Sequence, residues 1–292
     1  MSNALDQVGY RAWDGRPHSP WWTCLTLVRF GIWVIFRRWI FWLLIGLGLM
    51  NFLFHFAFIY LKATITIQSG EMAKFMDAYR VTGTGDAFAD FMHAQAGITV
   101  LLLAFAGSTL IGGDYRQGGM VFYLSRSIGK TQYIVGKILT IATLVLLITM
   151  VPALVLYVQY GVLSSSLDYF IDHWTIGIGI IGYGLVLGLF QAVLLCAIAA
   201  WIPRTVPLVM TWLGMFTLLG ILAHVLHDIH DNSHWLLLSL WEDMLHLGQW
   251  CFGAYSADRT PSVVETAAVL GGISAVCLLL IVRRVRAVEV VS

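Results

Sequence analysis

The stretch Trp39–Leu61 reads WIFWLLIGLGLMNFLFHFAFIYL, 23 residues without a charge. A helix rising about 1.5 Å per residue needs about 20 apolar residues to cross roughly 30 Å of hydrocarbon. This run is long enough, and Arg37 and Arg38 stand immediately before it. Further windows of the same kind follow at 91–113, 138–160, 174–201, 207–226 and 266–282. No other segment qualifies. With 59% hydrophobic and 11% charged residues gathered in this way, the sequence predicts an all-α integral membrane protein of six transmembrane helices.

Charge orients the spans. With both termini in the cytoplasm, thirteen of the 17 basic side chains lie inside: Arg11, Arg16, Arg29, Arg37, Arg38, Arg116, Arg126, Lys130, Lys137, Arg204, Arg283, Arg284 and Arg286. Lys62, Lys74, Arg80 and Arg259 fall outside. Basic loops favour the cytoplasmic side, whereas acidic charge adds little to that preference. The acidic residues nonetheless segregate, leaving Asp6, Asp14, Asp114 and Glu289 inside and the other twelve of 16 outside. A formal net charge of +1 therefore conceals a dipole, and no basic block with interleaved aromatics points to nucleic acid. The first apolar run leads to no small-residue cleavage site, so it is expected to be an uncleaved anchor. Cys24 lies inside, Cys196 and Cys277 within spans and Cys251 outside, a spacing that suggests neither a disulfide nor a thiolate metal cluster.

Around the spans, residues 1–19 read as a polar cytoplasmic tail and 20–38 as an aromatic-rich amphipathic helix lying in the interface. The transmembrane domain covers 39–282, and 283–292 form a second cytoplasmic tail. Within 224–261, Trp235, Leu238, Trp241, Leu245 and Trp250 recur at loosely helical spacing without a span-length run. Short outer helices at the headgroup level, re-entrant or interfacial, suit that pattern.

Several polar residues lie inside apolar runs. Asn51, His55, Gln95 and Gln191 fit either interhelical hydrogen bonds or the lining of a substrate path, since an unpaired polar group in lipid is costly. Gly184 and Gly188 give the fourth span a small face, for packing within the subunit or for dimerisation, and Pro152 is expected to kink the third. His224, His227, Asp228 and His230, followed by Asp231 and His234, are the densest set of metal-ligand types. Their spacing of three and four puts several on one helical face, as a divalent ion would require. Histidines that merely solvate a span end make the same pattern, and no His-Glu-x-x-His arrangement supports catalysis.

The loop between the second and third spans, 112–137, reads GGDYRQGGMVFYLSRSIGKTQYIVGK. It has a charged start, a glycine break, an amphipathic middle and a basic end. Such a segment suits a short membrane-parallel helix, with Phe122 and Leu124 to pack and Arg116, Arg126 and Lys130 to meet an acidic partner. A basic membrane-proximal loop obeying the charge rule accounts for it equally well. Gly129-Lys130-Thr131 imitates the end of a phosphate-binding loop, but Leu124 stands where that motif needs Gly. The chain is therefore not expected to hydrolyse ATP itself, nor to be an enzyme.

This loop resembles that of the ABC type-2 permease family, which reads acidic-x-Arg-x-Gly-Thr, then Leu-Ser-Arg-Pro-Ile-Ser-Arg, then Gly-Lys at the third span. Asp114, Arg116, Gly118, Leu124, Ser125, Arg126, Ile128, Gly136 and Lys137 match; Gly119, Ser127 and Gly129-Lys130 depart from it. The resemblance implies the membrane subunit of an exporter in the bacterial inner membrane, working as a pair and driven by two copies of a separate ATPase that binds ATP and Mg. Residues 114–130 would then be the coupling helix. Asp114 and Arg116 would anchor its start by charge-assisted bonds, Phe122 and Leu124 would fill the ATPase socket, and Tyr115, Gly118, Ser125, Arg126 and Lys130 would belong to the same coupling surface. Membrane lipids and accessory proteins on the outer side complete the expected partners. A membrane metal-handling protein or metalloenzyme built on the histidine group, and a passive assembly subunit, are the alternative readings.

Overall fold

A segment surrounded by hydrocarbon must satisfy its backbone N–H and C=O groups internally, and a helix does so within one run of chain. The computed structural model describes residues 20–64, 83–116, 119, 129–163, 168–254 and 260–285, and among them there are helices and no strands. In chain order these are α1 (Pro20–Phe36), α2 (Trp39–Thr64) and α3 (Gly85–Gly107), which runs on through a π-turn (Ser108–Gly112) into a last turn (Gly113–Arg116). Then come α4, in two segments (Lys130–Ile148 and Met150–Leu163), and the short α5 (Asp168–Asp172). After them follow α6 (Trp174–Trp201), α7 (Thr205–His230), a 3₁₀ turn (Ser233–Leu238), α8 (Leu240–Cys251) and α9 (Val263–Arg284).

Six of these, α2, α3, α4, α6, α7 and α9, are long and apolar enough to cross a membrane, the architecture of a multi-pass membrane protein. Two outrun their uncharged windows, α3 reaching 32 residues and α4 34, because helical hydrogen bonding continues through flanking Asp86, Asp90, Lys130 and Lys137. α4 is interrupted at Thr149, where the hydroxyl and the amide both donate to the Val145 carbonyl, and Pro152 lacks an N–H for the ladder.

α6 is the axis. Within its most apolar window 72% of residues are buried, with α3 next at 67%, against 17% for α2 and 22% for α7 and α9; α3, α4, α7, α8 and α9 pack on α6, while α2 packs on α3 and α4. Its small face lies against α4: a Cβ added at Gly184 would meet Met150 Cβ at 3.0 Å, and one at Gly188 the Ala142 carbonyl at 3.4 Å. The glycine pair therefore serves packing within this chain.

α1 stops at Phe36, two residues short of the expected boundary, where the chain turns at Arg37 and Arg38. The Trp42 indole donates to the Phe36 carbonyl left open by that stop, at 2.8 Å. One face of α1 lies on the start of α4, with buried Ile35 and Cys24, whose Sγ donates to the Gln132 carbonyl at 3.4 Å. The opposite face exposes Trp21, Trp22, Phe30 and Trp33. Successive spans alternate in direction, so Arg38, Arg116, Lys130, Arg204 and Arg284 gather at one end of the bundle, the basic end. Gly184→Leu should lower stability by about 1–3 kcal/mol through overpacking, while Gly271→Leu, at a position open on all sides, should be near neutral; thermal unfolding of the purified protein separates the two.

Candidate functional site

Around the end of α3 at the basic end, the glycines allow two close approaches. A Cβ at Gly107 would meet Leu195 Cδ1 at 2.7 Å, and one at Gly112 would meet the Pro203 carbonyl at 2.7 Å. The π-turn falls between these contacts, and there Ser108 and Thr109 hydroxyls both donate back to the Phe105 carbonyl. Such turns rotate the following residues relative to a regular helix. Beyond it, Asp114 meets the start of α4. Its Oδ2 accepts from Tyr133 Oη at 2.9 Å and pairs with Lys137 Nζ at 2.7 Å. Lys137 also donates to the Leu110 carbonyl, and its ammonium stands 5.6 Å from the centroid of the Tyr133 ring. The ion pair is largely buried, with Lys137 12% and Asp114 17% exposed, so its charges are poorly screened. One knot thus fastens the last turn of α3 to the first turns of α4.

Asp114 and Arg116 also line a cavity of about 420 Å³ with Arg38, Ser108, Thr109 and Thr205. Across the basic end, Arg284 donates to the Ala200 carbonyl at 3.4 Å and lies 5.3 Å from the Trp201 ring centroid, tying α9 to α6. Lys130, half-buried, opens α4, where Gln132 Oε1 accepts from the Gly129 amide at 2.7 Å. Of the other expected loop residues, Asp114, Tyr115 and Arg116 belong to the last turn of α3, while Gly118, Phe122, Leu124, Ser125 and Arg126 lie outside the described residues.

The polar residues of the spans bond within the helix bundle. Gln191 Oε1 accepts from Thr99 Oγ1 at 2.9 Å, joining α6 to α3, and Gln95 Nε2 donates to the Gly48 carbonyl at 3.1 Å, joining α3 to α2. Both glutamines are fully buried. His55 directs Nδ1 at the Asn51 carbonyl of its own helix, 3.0 Å away, and its ring meets Phe91 edge-on.

At the opposite, acidic end, α7 continues unbroken to His230, but its histidines are drawn apart. His224 and His230 turn Nδ1 back onto the Gly220 and Leu226 carbonyls, at 2.9 and 3.0 Å. His224 also approaches Glu242 of α8 at 3.7 Å, and His234 approaches Glu265 of α9 at 3.7 Å. Among the described residues no three His, Cys, Asp or Glu side chains group so as to hold a metal ion, so His224, His227, Asp228 and His230 do not form a ligand set. Short helices precede the last span, the 3₁₀ turn and α8, the latter capped by Ser239 and packed on α3, α6 and α9 through Leu240, Met244 and Gly248.

Asp243, beside that apolar stripe, is fully buried, and among the described residues neither carboxylate oxygen is hydrogen-bonded. Burial first, and the neighbouring Glu242 charge second, push its carboxyl up to about 8 from an ordinary 3.8. His246, one turn along and also buried, lies 3.8 Å from Glu242, which thus sits between His246 and His224.

No family model matches the chain, and comparison with curated proteins returns no match.

Asp114→Asn should destabilise the protein by about 3 kcal/mol, the low end for a buried pair because both partners keep some exposure, and Tyr133→Phe by about 1 kcal/mol. Asp114→Leu combined with Lys137→Met should recover most of the loss, because no unpaired charge then remains; unfolding midpoints of the three variants test this. A carboxyl held protonated by the fold stabilises below its unfolded pKa and loses that contribution as pH rises toward its folded value. Asp243→Asn should therefore come nearest the wild type in thermal stability near pH 4 and exceed it by a growing margin up to about pH 8, in a melting series from pH 4 to 9.

Proposed function

We propose that the protein is the membrane-spanning subunit of an ATP-driven ABC exporter, paired with a second copy and coupled to two copies of a separate ATPase. The observation that carries this reading is the Asp114–Tyr133–Lys137 knot, because it bridges the two ends of the 117–128 segment. A push delivered to that segment from outside reaches α3 and α4 together, instead of being absorbed as loop motion. That is the mechanical requirement for a coupling helix spanning 114–130, and the same segment carries the sequence pattern that resembles the family. ATP and Mg would be held by the partner, whose nucleotide states must each bind one arrangement of the spans better than the other.

In this reading the basic end faces the cytoplasm of a bacterial inner membrane, with both termini there. α1 lies in the interface, its exposed Trp21, Trp22 and Trp33 at headgroup depth and its buried face on α4. Arg116 and Arg126 carry positive charge toward the ATPase, with Phe122 and Leu124 seated in its groove. Asn51, His55, Gln95 and Gln191 lie on α2, α3 and α6, where a substrate would reach them only once those helices part, and accessory proteins would meet the acidic end.

Affinity purification from native membranes should bring down a stoichiometric ATPase. In the reconstituted complex, Arg126→Glu should cut permease-stimulated ATP hydrolysis by about tenfold through like-charge repulsion while the spans stay assembled. Full activity of the isolated chain without any nucleotide-hydrolysing companion would overturn the proposal, and an associated ATPase indifferent to Arg126→Glu would favour a passive assembly role.

A further inference from the structure

A cavity of about 160 Å³ lies between α2, α3 and α4, bounded among others by Gly48, Leu49, Gln95, Leu147, Ile148 and Pro152. Leu49 and Leu147 are 51% and 45% exposed, so the cavity opens on the surface that a bilayer would cover. Its walls are aliphatic and aromatic apart from Gln95. Gln95 is fully buried, and its amide is oriented by the 3.1 Å donation from Nε2 to the Gly48 carbonyl. Turned the other way, two oxygens would face each other. Among the described residues Oε1 is thereby left without a hydrogen-bond partner, a buried acceptor in a low-dielectric setting.

Two further features keep that acceptor available. Gly48 has no side chain, and a Cβ there would stand 3.4 Å from Gln95 Oε1 and 3.5 Å from Ile148 Cγ2, narrowing the space. Pro152 has no N–H to offer the Ile148 carbonyl four residues earlier, and both residues border the same cavity. The site therefore sets one buried amide acceptor beside an apolar space and, among the described residues, lacks a side-chain donor. Water needs two to four polar partners and does not suit such walls, whereas apolar cavities of about 150 Å³ take a benzene-sized body. A carboxylate would be repelled by the amide oxygen, and an ammonium would lose its hydration without a counter-charge.

We propose that this cavity is a binding site for a neutral apolar alcohol, whose hydrocarbon body fills the space between α2 and α4 and whose hydroxyl donates to Gln95 Oε1. The site stands independently of any ATPase.

The test uses the full chain in phosphatidylcholine nanodiscs and hexadecanol carrying a diazirine in its chain, with crosslinked peptides mapped by mass spectrometry. Crosslinks should concentrate on the α2 and α4 segments around Leu49 and Leu147. Unlabelled dodecanol should displace the probe about fivefold better than dodecane, the discrimination expected of one buried hydrogen bond. Gln95→Met should bring the two competitors level, and Gly48→Val should suppress the crosslinks while leaving Gln95 in place. Equal competition by dodecanol and dodecane in the wild type, or crosslinks spread evenly over the lipid-facing residues of α7 and α9, would overturn the proposal and leave an ordinary acyl-chain contact.

Discussion

Hydrocarbon offers no hydrogen-bond partner, so every polar group carried into a span must find one inside the chain. Isolated hydroxyls do this locally: Thr140, Thr143, Thr217 and Ser274 donate to carbonyls four residues back on their own helices. Groups with longer reach choose their neighbours and so decide which helices meet. The Trp212 indole donates to the Val100 carbonyl at 2.8 Å, joining α7 to α3, Gln191 takes its bond from Thr99, and Gln95 reaches Gly48. These bonds converge on α3, which touches α2, α6 and α7 through polar atoms, while α6 fills the centre with small and aliphatic side chains.

At the basic end the same rule acts on charge. Asp114 is an acid at an end of the bundle otherwise rich in bases, and it is paired, hydrogen-bonded and mostly out of water. The pair gains from geometry what it loses in hydration only because Tyr133 and the Leu110 carbonyl complete its bonding. The π-turn supplies the rotation that turns the end of α3, and Gly112 against Pro203 holds that turn beside the α6–α7 connection. Stability at this end, and in the proposed reading the transmission of force, thus rest on the same few residues.

The six spans were legible because uncharged apolar windows of about 20 residues are what a bilayer demands and a water-soluble core seldom contains. Their ends were not, since helices continue into charged flanks such as Asp86 and Lys130 that a window excludes. The glycine pair in α6 was visible as a small face, but only coordinates reveal that Met150 and Ala142 of α4 occupy it. The knot at Asp114 joins residues 19 or more positions apart, and its signal was the presence of an acid among inward bases. The histidines on α7 recur at helical spacing, yet His224 is drawn toward Glu242 of α8, and His230 turns Nδ1 back onto its own helix. Asp243 read as one more outward acid. Its place beside the stripe Leu240, Met244 and Gly248 was the available clue to burial, and the helices packed over that stripe were the missing part.

The bond between Thr99 and Gln191 spans 92 positions, and this separation bears on how the protein is made. A ribosome adding about 5–20 residues per second delivers α3 to the bilayer several seconds before α6 exists. Throughout that interval the Thr99 hydroxyl is served by the Ala96 carbonyl of its own turn, 2.7 Å away in the finished structure. Gln191, whose Nε2 is buried without a hydrogen bond among the described residues, arrives into a bilayer where Thr99 is already in place, and the single hydroxyl proton can turn from the Ala96 carbonyl to Gln191 Oε1. Insertion order and final pairing are therefore compatible: the self-sufficient member enters first and the dependent one second.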